Sequence, residues 1–556
     1  MKNAVPACPP LLFTLFCFGL LRLAKSASLI LMLIPFAKPA RAGALLMSLL
    51  VLIAIGCHRV QAAGVTIITH GFSGNADGWV LGMAGGIPGH PDFPGTNVIC
   101  YEVTASYSSG FVVTSRKLAG GSPLTDPTAE IAIKLDWGPL AGFFSQYDTY
   151  EVAAAVVPKI VQANFIPELG GHTLAELPLH FIGHSRGGSL VCEMAGLLGI
   201  NGIWVDQVTT LDPHPVNNDG NSDPLFVVDA PLRIYDNVLF ADNYYQDFGG
   251  YPHGQFMPSS YNRELTALPG GYSSAHSDTH LWYHATLDFH DPADDSEALL
   301  YGSERIIWFT PYELTGGRAG FHYSRLGGGD RLSVSRPAGA GSDFPAYGYN
   351  QRWNLGPGNN TNRTPLWANN GNWGSLIRLN LAGTNLMAQG QSNFAKINYQ
   401  WAKPASSNAT IGLFLDPDLN PFNGNGALVH QSGVPGTTSN AVAISSLALN
   451  VAATNTTPGI YNVYGSITGG GRTRYLYAPE RLTIFSSFDP PHLAISRQPS
   501  GGVRVEVNGI AGRRIVLQRT EEFKQWQSVA TNWLGSNGWE YADEGVGKGF
   551  YRAVVQ

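Results

Sequence analysis

One pentad constrains this chain more than any other feature. Gly183-His184-Ser185-Arg186-Gly187 follows the apolar run 179–182 and precedes residues 189–198, where apolar side chains recur at helical spacing. A serine lifted onto a tight turn between a strand and a helix needs small residues two before and two after it, because the turn brings neighbouring backbones into contact. Gly183 and Gly187 meet that need, and a helix beginning here aims its N-terminal dipole at the hydroxyl. In a chain with 66 glycines the same letters also arise in ordinary loops. The flanking strand and helix patterns set this occurrence apart.

Partners for such a serine lie on both sides of it. Upstream, residues 65–69 read as a strand ending in His70-Gly71-Phe72. Downstream, the apolar strand 208–211 ends in Asp212-Pro213, and a carboxylate at the end of a strand can hold an imidazole and stabilise its cation. Asp236 and Asp242, on the next apolar segment, are the alternative acids. The base is then a histidine beyond both, among His253, His276, His280, His284 and His290. Ser277 or Asp278 can cap a helix through residues 281–287, leaving His276 on the preceding loop and His280 in the first turn. His276 is the choice, and His280 is the alternative.

Together, His70-Gly71-Phe72, Gly183-His184-Ser185-Arg186-Gly187, Leu211-Asp212-Pro213 and His276 resemble the α/β-hydrolase superfamily, particularly the lipase-like branch that includes pancreatic lipase. The resemblance covers residues 64 to about 290. It implies an α/β-hydrolase parallel sheet domain, a triad of Ser185, Asp212 and His276, an oxyanion hole from Phe72 and Arg186, and cleavage of carboxylic esters through an acyl-enzyme without a cofactor; the alternatives are a polymer-directed depolymerase or carbohydrate esterase, or a catalytically inactive surface-binding protein. Arg186 and Gly188 depart from the smaller or apolar neighbours found in many lipases, and there is no disulfide-closed lid.

The rest of the chain has a different texture. Between residues 64 and 288, strand-like runs at 65–69, 97–103, 179–182, 208–211 and 232–239 alternate with helical patterns at 149–165 and 189–198, as a parallel α/β sheet requires. Beyond residue 320, Gly, Asn, Ser and Pro clusters separate short alternating runs at 393–400, 409–415, 441–450, 459–468 and 474–484, the spacing of a sandwich. Pro490-Pro491 marks a linker, and 503–507, 514–519 and 550–555 read as strands of a last small unit. That unit resembles a β module found at the ends of exported bacterial proteins. The expected organisation is an export signal region over 1–62, the catalytic domain over 63–320, a sandwich-like accessory domain over 321–490 and a C-terminal β module over 491–556.

Apolar runs interrupted by Arg22, Lys25, Lys38 and Arg41, with small residues up to Ala62, read as a secretory signal. The expected location is periplasmic or extracellular, and a lipid anchor at Cys57 is the lesser alternative. With 34 basic and 40 acidic side chains, the net charge of −6 excludes nucleic-acid binding driven by bulk positive charge. Five cysteines without close spacing exclude a zinc finger and a disulfide scaffold. Asp416, Asp418, Asn420 and Gly424 are spaced as in a calcium loop, but Ala427 stands where the last carboxylate is needed, and a polar hairpin turn is the preferred reading. No metal is expected. The partner expected is an ester substrate, lipid or polymer, with surface or polysaccharide contact through the β domains, where Trp353, Trp367, Trp373 and Trp526 offer rings for stacking or for a core.

Overall fold

Residues 65–69, 179–184 and 205–211 are buried at every position, as strands covered on both faces are, and all three lie in the largest sheet among the described residues. The structure, a computed structural model, describes residues 64–555, less 88–98, 288–292, 325–353, 355–361, 486–490, 544–548 and other stretches of up to four residues. Residues 1–62, expected to be an export signal, with Cys57, together with His290, Trp353 and Pro490, lie outside the described residues.

Strands β1 (Val65–Thr69), β2 (Ile99–Tyr107), β3 (Phe111–Ala119), β4 (Ile131–Asp136), β5 (Leu179–His184), β6 (Val205–Leu211), β7 (Val238–Tyr245) and β8 (Tyr261–Glu264) form one sheet in the order β3-β2-β4-β1-β5-β6-β7-β8. Neighbours pair in parallel except β2 and β3, which form an antiparallel hairpin. Four helices of at least eight residues lie against this sheet: α1 (Trp79–Gly86), α2 (Thr149–Ile160), α3 (Arg186–Ile200) and α4 (Ala275–Ala285). Side chains alternate across each strand. Ile67 and Phe181 therefore share a core with Val152 of α2 and Leu190 of α3, while Ile68 and Ile182 share another with Trp79 of α1 and Leu281 of α4. Helix α2 begins at a reciprocal capping box between Asp148 and Glu151.

The expected fold class, an α/β-hydrolase parallel sheet domain followed by all-β accessory domains, is corrected here to a β-rich chain of several sheets. Of the described residues 42% lie in strands and 18% in helices. The two helical patterns at 149–165 and 189–198 do not extend across residues 64–288. Among the described residues, no helix lies between β6 and β7 or between β7 and β8, and β3 runs against its neighbour. Crossovers made of irregular chain carry no apolar period, so nothing in the sequence signalled that helices were missing there.

Past a short ladder of β9 (Ala293–Asp294) with β10 (Leu299–Leu300), two further sheets face each other. One is β11 (Ser375–Ala382), β13 (Ser392–Gln400) and β16 (Ser445–Ala452) in the order β11-β13-β16. The other, ordered β12-β18-β17-β14-β15, comprises β12 (Leu386–Ala388), β14 (Asn408–Asp416), β15 (Ala427–Pro435), β17 (Gly459–Gly469) and β18 (Arg472–Phe485). Inward residues such as Ile397, Ile411, Val463 and Leu476 fill the space between them.

This sandwich shares a core with the large sheet's region, since Trp373, Leu419, Tyr464 and Tyr477 pack with Phe181 and its neighbours. The buried Arg474 guanidinium donates to the carbonyls of Ala175 (2.8 Å) and Leu177 (3.2 Å) and to Ser375 Oγ (2.8 Å). Two small sheets, β19 (His492–Arg497) with β20 (Val503–Asn508) and β23 (Trp539–Asp543), and β21 (Arg514–Thr520) with β22 (Gln527–Trp533) and β24 (Phe550–Val555), close the chain around Val505, Val507, Ile515 and Leu517.

Candidate active site

Strand β5 ends at His184 and α3 begins at Arg186, so Ser185 makes the whole turn by itself. It does so at φ 55° and ψ −125°, a conformation that costs a non-glycine residue of order 1–3 kcal/mol and persists only where the surroundings impose it. The surroundings are backbone. A Cβ on Gly183 would come within 2.2 Å of Gly187 O, and one on Gly71 within 2.5 Å of Ser185 Cβ and 3.0 Å of its Oγ. The loop after β1 thus lies directly against the serine hydroxyl, with Phe72 next in line. Arg186, as the first helical residue, has an N–H with no intrahelical acceptor. Both predicted oxyanion donors are therefore placed beside Ser185, and Ser185 and Phe72 line one cavity of about 450 Å³.

Asp212 follows β6 directly and is fully buried. Its carboxylate accepts from the Gln246 backbone N–H (2.8 Å), the Gln246 side-chain amide (2.9 Å) and His276 Nδ1 (2.5 Å). A carboxylate held by this many donors is fixed in place and in turn fixes the imidazole's orientation. His276 lines the same cavity as Ser185. With Nδ1 committed to Asp212, Nε2 is the nitrogen available toward the cavity. The helix α4 starts earlier than Ser277 or Asp278 would have it, at Ala275 after Ser274. His276 is consequently in the first turn rather than on the loop, and His280 lies one turn further on.

Of the alternatives, His280 stacks on Trp79 at 4.5 Å and is buried. Asp242 accepts from Thr209 Oγ1 (2.6 Å) and Gln207 Nε2 (3.1 Å) within the sheet. Asp236 has its carboxyl pushed up to about 6 by burial, and its backbone carbonyl accepts from Asn354. The Asp that meets a candidate base is Asp212, and that base is His276.

Three features of the site had no signal in the sequence. The Arg186 guanidinium, fully buried, pairs with Asp229 through two bonds (2.7 and 2.8 Å), donates to the carbonyls of Ala141 (3.3 Å) and Tyr147 (2.7 Å), and lies over the Trp137 ring. Asp229 in turn accepts from the N–H groups of Thr149 and Val216. One side chain therefore fastens both walls of the cavity, the loop bearing Phe143 and the loop bearing Val216, Pro224 and Leu225. Its partner stands 43 positions away, beyond any local pattern. Second, His70 sets its ring nitrogens against Gly71 O (2.9 Å) and Asp136 Oδ1 (3.3 Å). That contact is the main cause holding the Asp136 carboxyl below its usual range. Third, His214 sits between Asp219 (2.6 Å) and Asp223 (3.3 Å) at the cavity wall.

The segment weighed as a calcium loop folds as a turn whose oxygens accept from protein amides. Asp418 Oδ2 receives Asn423 Nδ2 (2.8 Å) and Asn425 Nδ2 (3.2 Å), while Asn420 Nδ2 donates to the carbonyls of Pro123 and Asp126. Among the described residues no group of three or more His, Cys, Asp or Glu is arranged to hold a metal ion. Trp373 is core, Trp367 is exposed, and Trp526 lies under Arg552.

No protein-family model matches the chain, and no curated protein matches it. Among solved structures, the CARDB domain of a Pyrococcus furiosus protein, determined with two metal ions, is 10% identical over 20% of this chain and 90% of that domain, with a TM-score of 0.14. The C-terminal domain of Wzt is 11% identical over 22% of this chain and 79% of that one, with a TM-score of 0.16. Both are β domains, and likenesses this slight carry nothing about activity. The resemblance to the α/β-hydrolase superfamily and its pancreatic-lipase-like branch, and that of the last segment to a module of exported bacterial proteins, are corrected: the described residues are mostly β sheet with few helices, and the chain is assigned to no family.

Proposed function

We propose that this chain cleaves carboxylic esters by acyl transfer through Ser185. The observation that carries the reading is the strained turn at Ser185 (φ 55°), opening into the same cavity as His276, whose far nitrogen is held by buried Asp212 at 2.5 Å. Strain of this kind is retained where it places a reactive group. In the proposed reaction His276 Nε2 takes the Ser185 proton as Oγ attacks the ester carbonyl, and Asp212 stabilises the imidazolium. The oxyanion forms against the N–H groups of Phe72 and Arg186. His276 then returns the proton to the leaving alcohol, and water, activated by the same imidazole, releases the acyl group.

The cavity favours an apolar acyl group, because Phe72, Trp79, Phe143, Val216 and Leu225 line it. A variant of the reading, an insoluble or polymeric ester, draws support from the rim. Phe144 is 99% exposed and Phe226 104%, each adjacent in sequence to a lining residue. Hydrolysis of p-nitrophenyl esters from acetate to palmitate tests the proposal. Activity lost in Ser185→Ala and in His276→Ala supports it, and an optimum at long chains or on suspended polyester favours the insoluble substrate. A folded wild type inert on every ester contradicts it.

A further inference from the structure

We infer that His184 is a positioning residue: its ring N–H holds the backbone of His276 and so sets where the base stands relative to the serine that follows His184 in sequence. The inference rests on the roles proposed for Ser185 and His276. His184 Nε2 donates to the His276 carbonyl oxygen across 2.8 Å, and the two rings stand 4.5 Å apart. The His184 ring is held in turn, edge-on to His280 at 4.8 Å and to Trp79 at 6.0 Å, with His280 and Trp79 stacked on each other. It is buried and belongs to the cavity wall.

The physical need for such a tie follows from the geometry. Asp212 grips His276 at one ring atom, and a ring gripped at one end can pivot about it. His276 also lies in the first turn of α4, the least constrained part of a helix. The bond from His184 fixes the main chain at the other end of the same side chain. A displacement of about 1 Å between reacting groups costs on the order of 100-fold in rate. The charge state of His184 serves the same end. Burial is the main cause driving its titration well below the ordinary histidine range, and the other titratable groups bearing on it are His276 and His280 from α4 and His70 after β1. A neutral ring beside His276 adds no repulsion to the imidazolium that forms there.

The test compares the full chain with His184→Asn, whose amide is too short to reach, and His184→Gln, whose amide nitrogen extends about as far as Nε2. His184→Phe, which keeps the ring and loses the donor, replaces the Asn variant should that not fold. In the donorless variant, kcat on p-nitrophenyl acetate should fall about 10- to 100-fold with KM near wild type. Fluorophosphonate labelling should slow by the same factor, and Gln should restore most of both. Equal kcat and labelling in wild type, donorless and Gln chains overturn the inference. Histidine ¹⁵N NMR of the same chains reads the contact without turnover: His276 imidazole signals should move in the donorless variant and return in Gln. Signals unmoved in both overturn the inference even if no ester is cleaved. A wild type that neither hydrolyses nor labels, with the NMR effect intact, supports the tie and sinks the ester-hydrolase reading instead.

Discussion

The large sheet and the sandwich are both well-packed β structures, yet they store strain differently. Around the sheet, Ser73, Ser185, Asp212 and Asn217 all have positive φ without being glycine, and all follow β1, β5 or β6 at the carboxyl ends of adjacent parallel strands; Asn164, in the turn after α2, is the exception. In the sandwich, among the described residues, positive φ falls on hairpin glycines such as Gly390, Gly424, Gly470 and Gly471, with Thr438 the exception. Two buried side-chain pairs, Arg186 with Asp229 and Asp212 with His276, also stand at that end of the sheet. The sandwich solves a packing problem with residues suited to their conformations. The sheet's end carries residues that are not, and the proposed chemistry is placed there on that contrast.

The comparison breaks first at Ser185. Ser185→Gly should lower ester turnover by a factor of about 10⁴ to 10⁶ while raising stability by up to roughly 1–3 kcal/mol, because glycine adopts φ 55° without penalty. Thr438→Gly, at φ 65°, should give a stability gain of the same kind with turnover unchanged. Thermal melts and initial rates on the two variants check both, and a Ser185→Gly chain that melts below wild type would remove strain from the argument.

Next in size is Arg186→Met, which leaves Asp229 charged, buried and unpaired and should cost about 3–5 kcal/mol in urea unfolding. Asp229→Leu added to it should recover a large part of that loss. If the single change is neutral, the guanidinium does not fasten the cavity walls. Gly183→Ala should cost comparably or prevent folding, since its Cβ meets backbone at 2.2 Å and not a side chain that can turn away.

The last effect belongs to the sandwich and is spread over several pH units. Burial pushes the Asp416 carboxyl up to about 7, against hydrogen bonds that include Tyr477 Oη at 2.5 Å. The folded chain then holds a proton that the unfolded chain, titrating near about 4, has lost. Stability from this group is therefore full below about pH 4 and declines as pH rises to about 7. Asp416→Asn should flatten that slope, read as the difference in melting temperature between variant and wild type from pH 4 to 8. An unchanged slope assigns the pH dependence elsewhere.

How far the sequence spoke depends on whether a feature was local. The turn at Ser185, the loop at Gly71 and the strand end at Asp212 each rest on a few consecutive residues, and each lies where those residues placed it. Sandwich strands at 393–400 and 459–468 also lie within one residue of β13 and β17, because alternation is a local signal. The run at 232–239 predicts a strand there, whereas β7 spans Val238–Tyr245. Its apolar start packs instead through Tyr235 against Trp204 and Leu366, a contact with a distant segment. β3, β4 and β8 were not read at all, and the missing crossover helices left no pattern behind. The Arg186–Asp229 clamp and the His184–His276 bond span 43 and 92 positions and became legible only when the chain was folded.

Fluorophosphonate labelling of the folded full chain, with the adduct located by peptide mass spectrometry, tests the central claim most directly. The account predicts one modified peptide, carrying the phosphonyl group on Ser185, no adduct in Ser185→Ala, and labelling slowed by orders of magnitude in His276→Ala but not in His280→Ala. An unlabelled wild type, or an adduct that persists in Ser185→Ala, would contradict it.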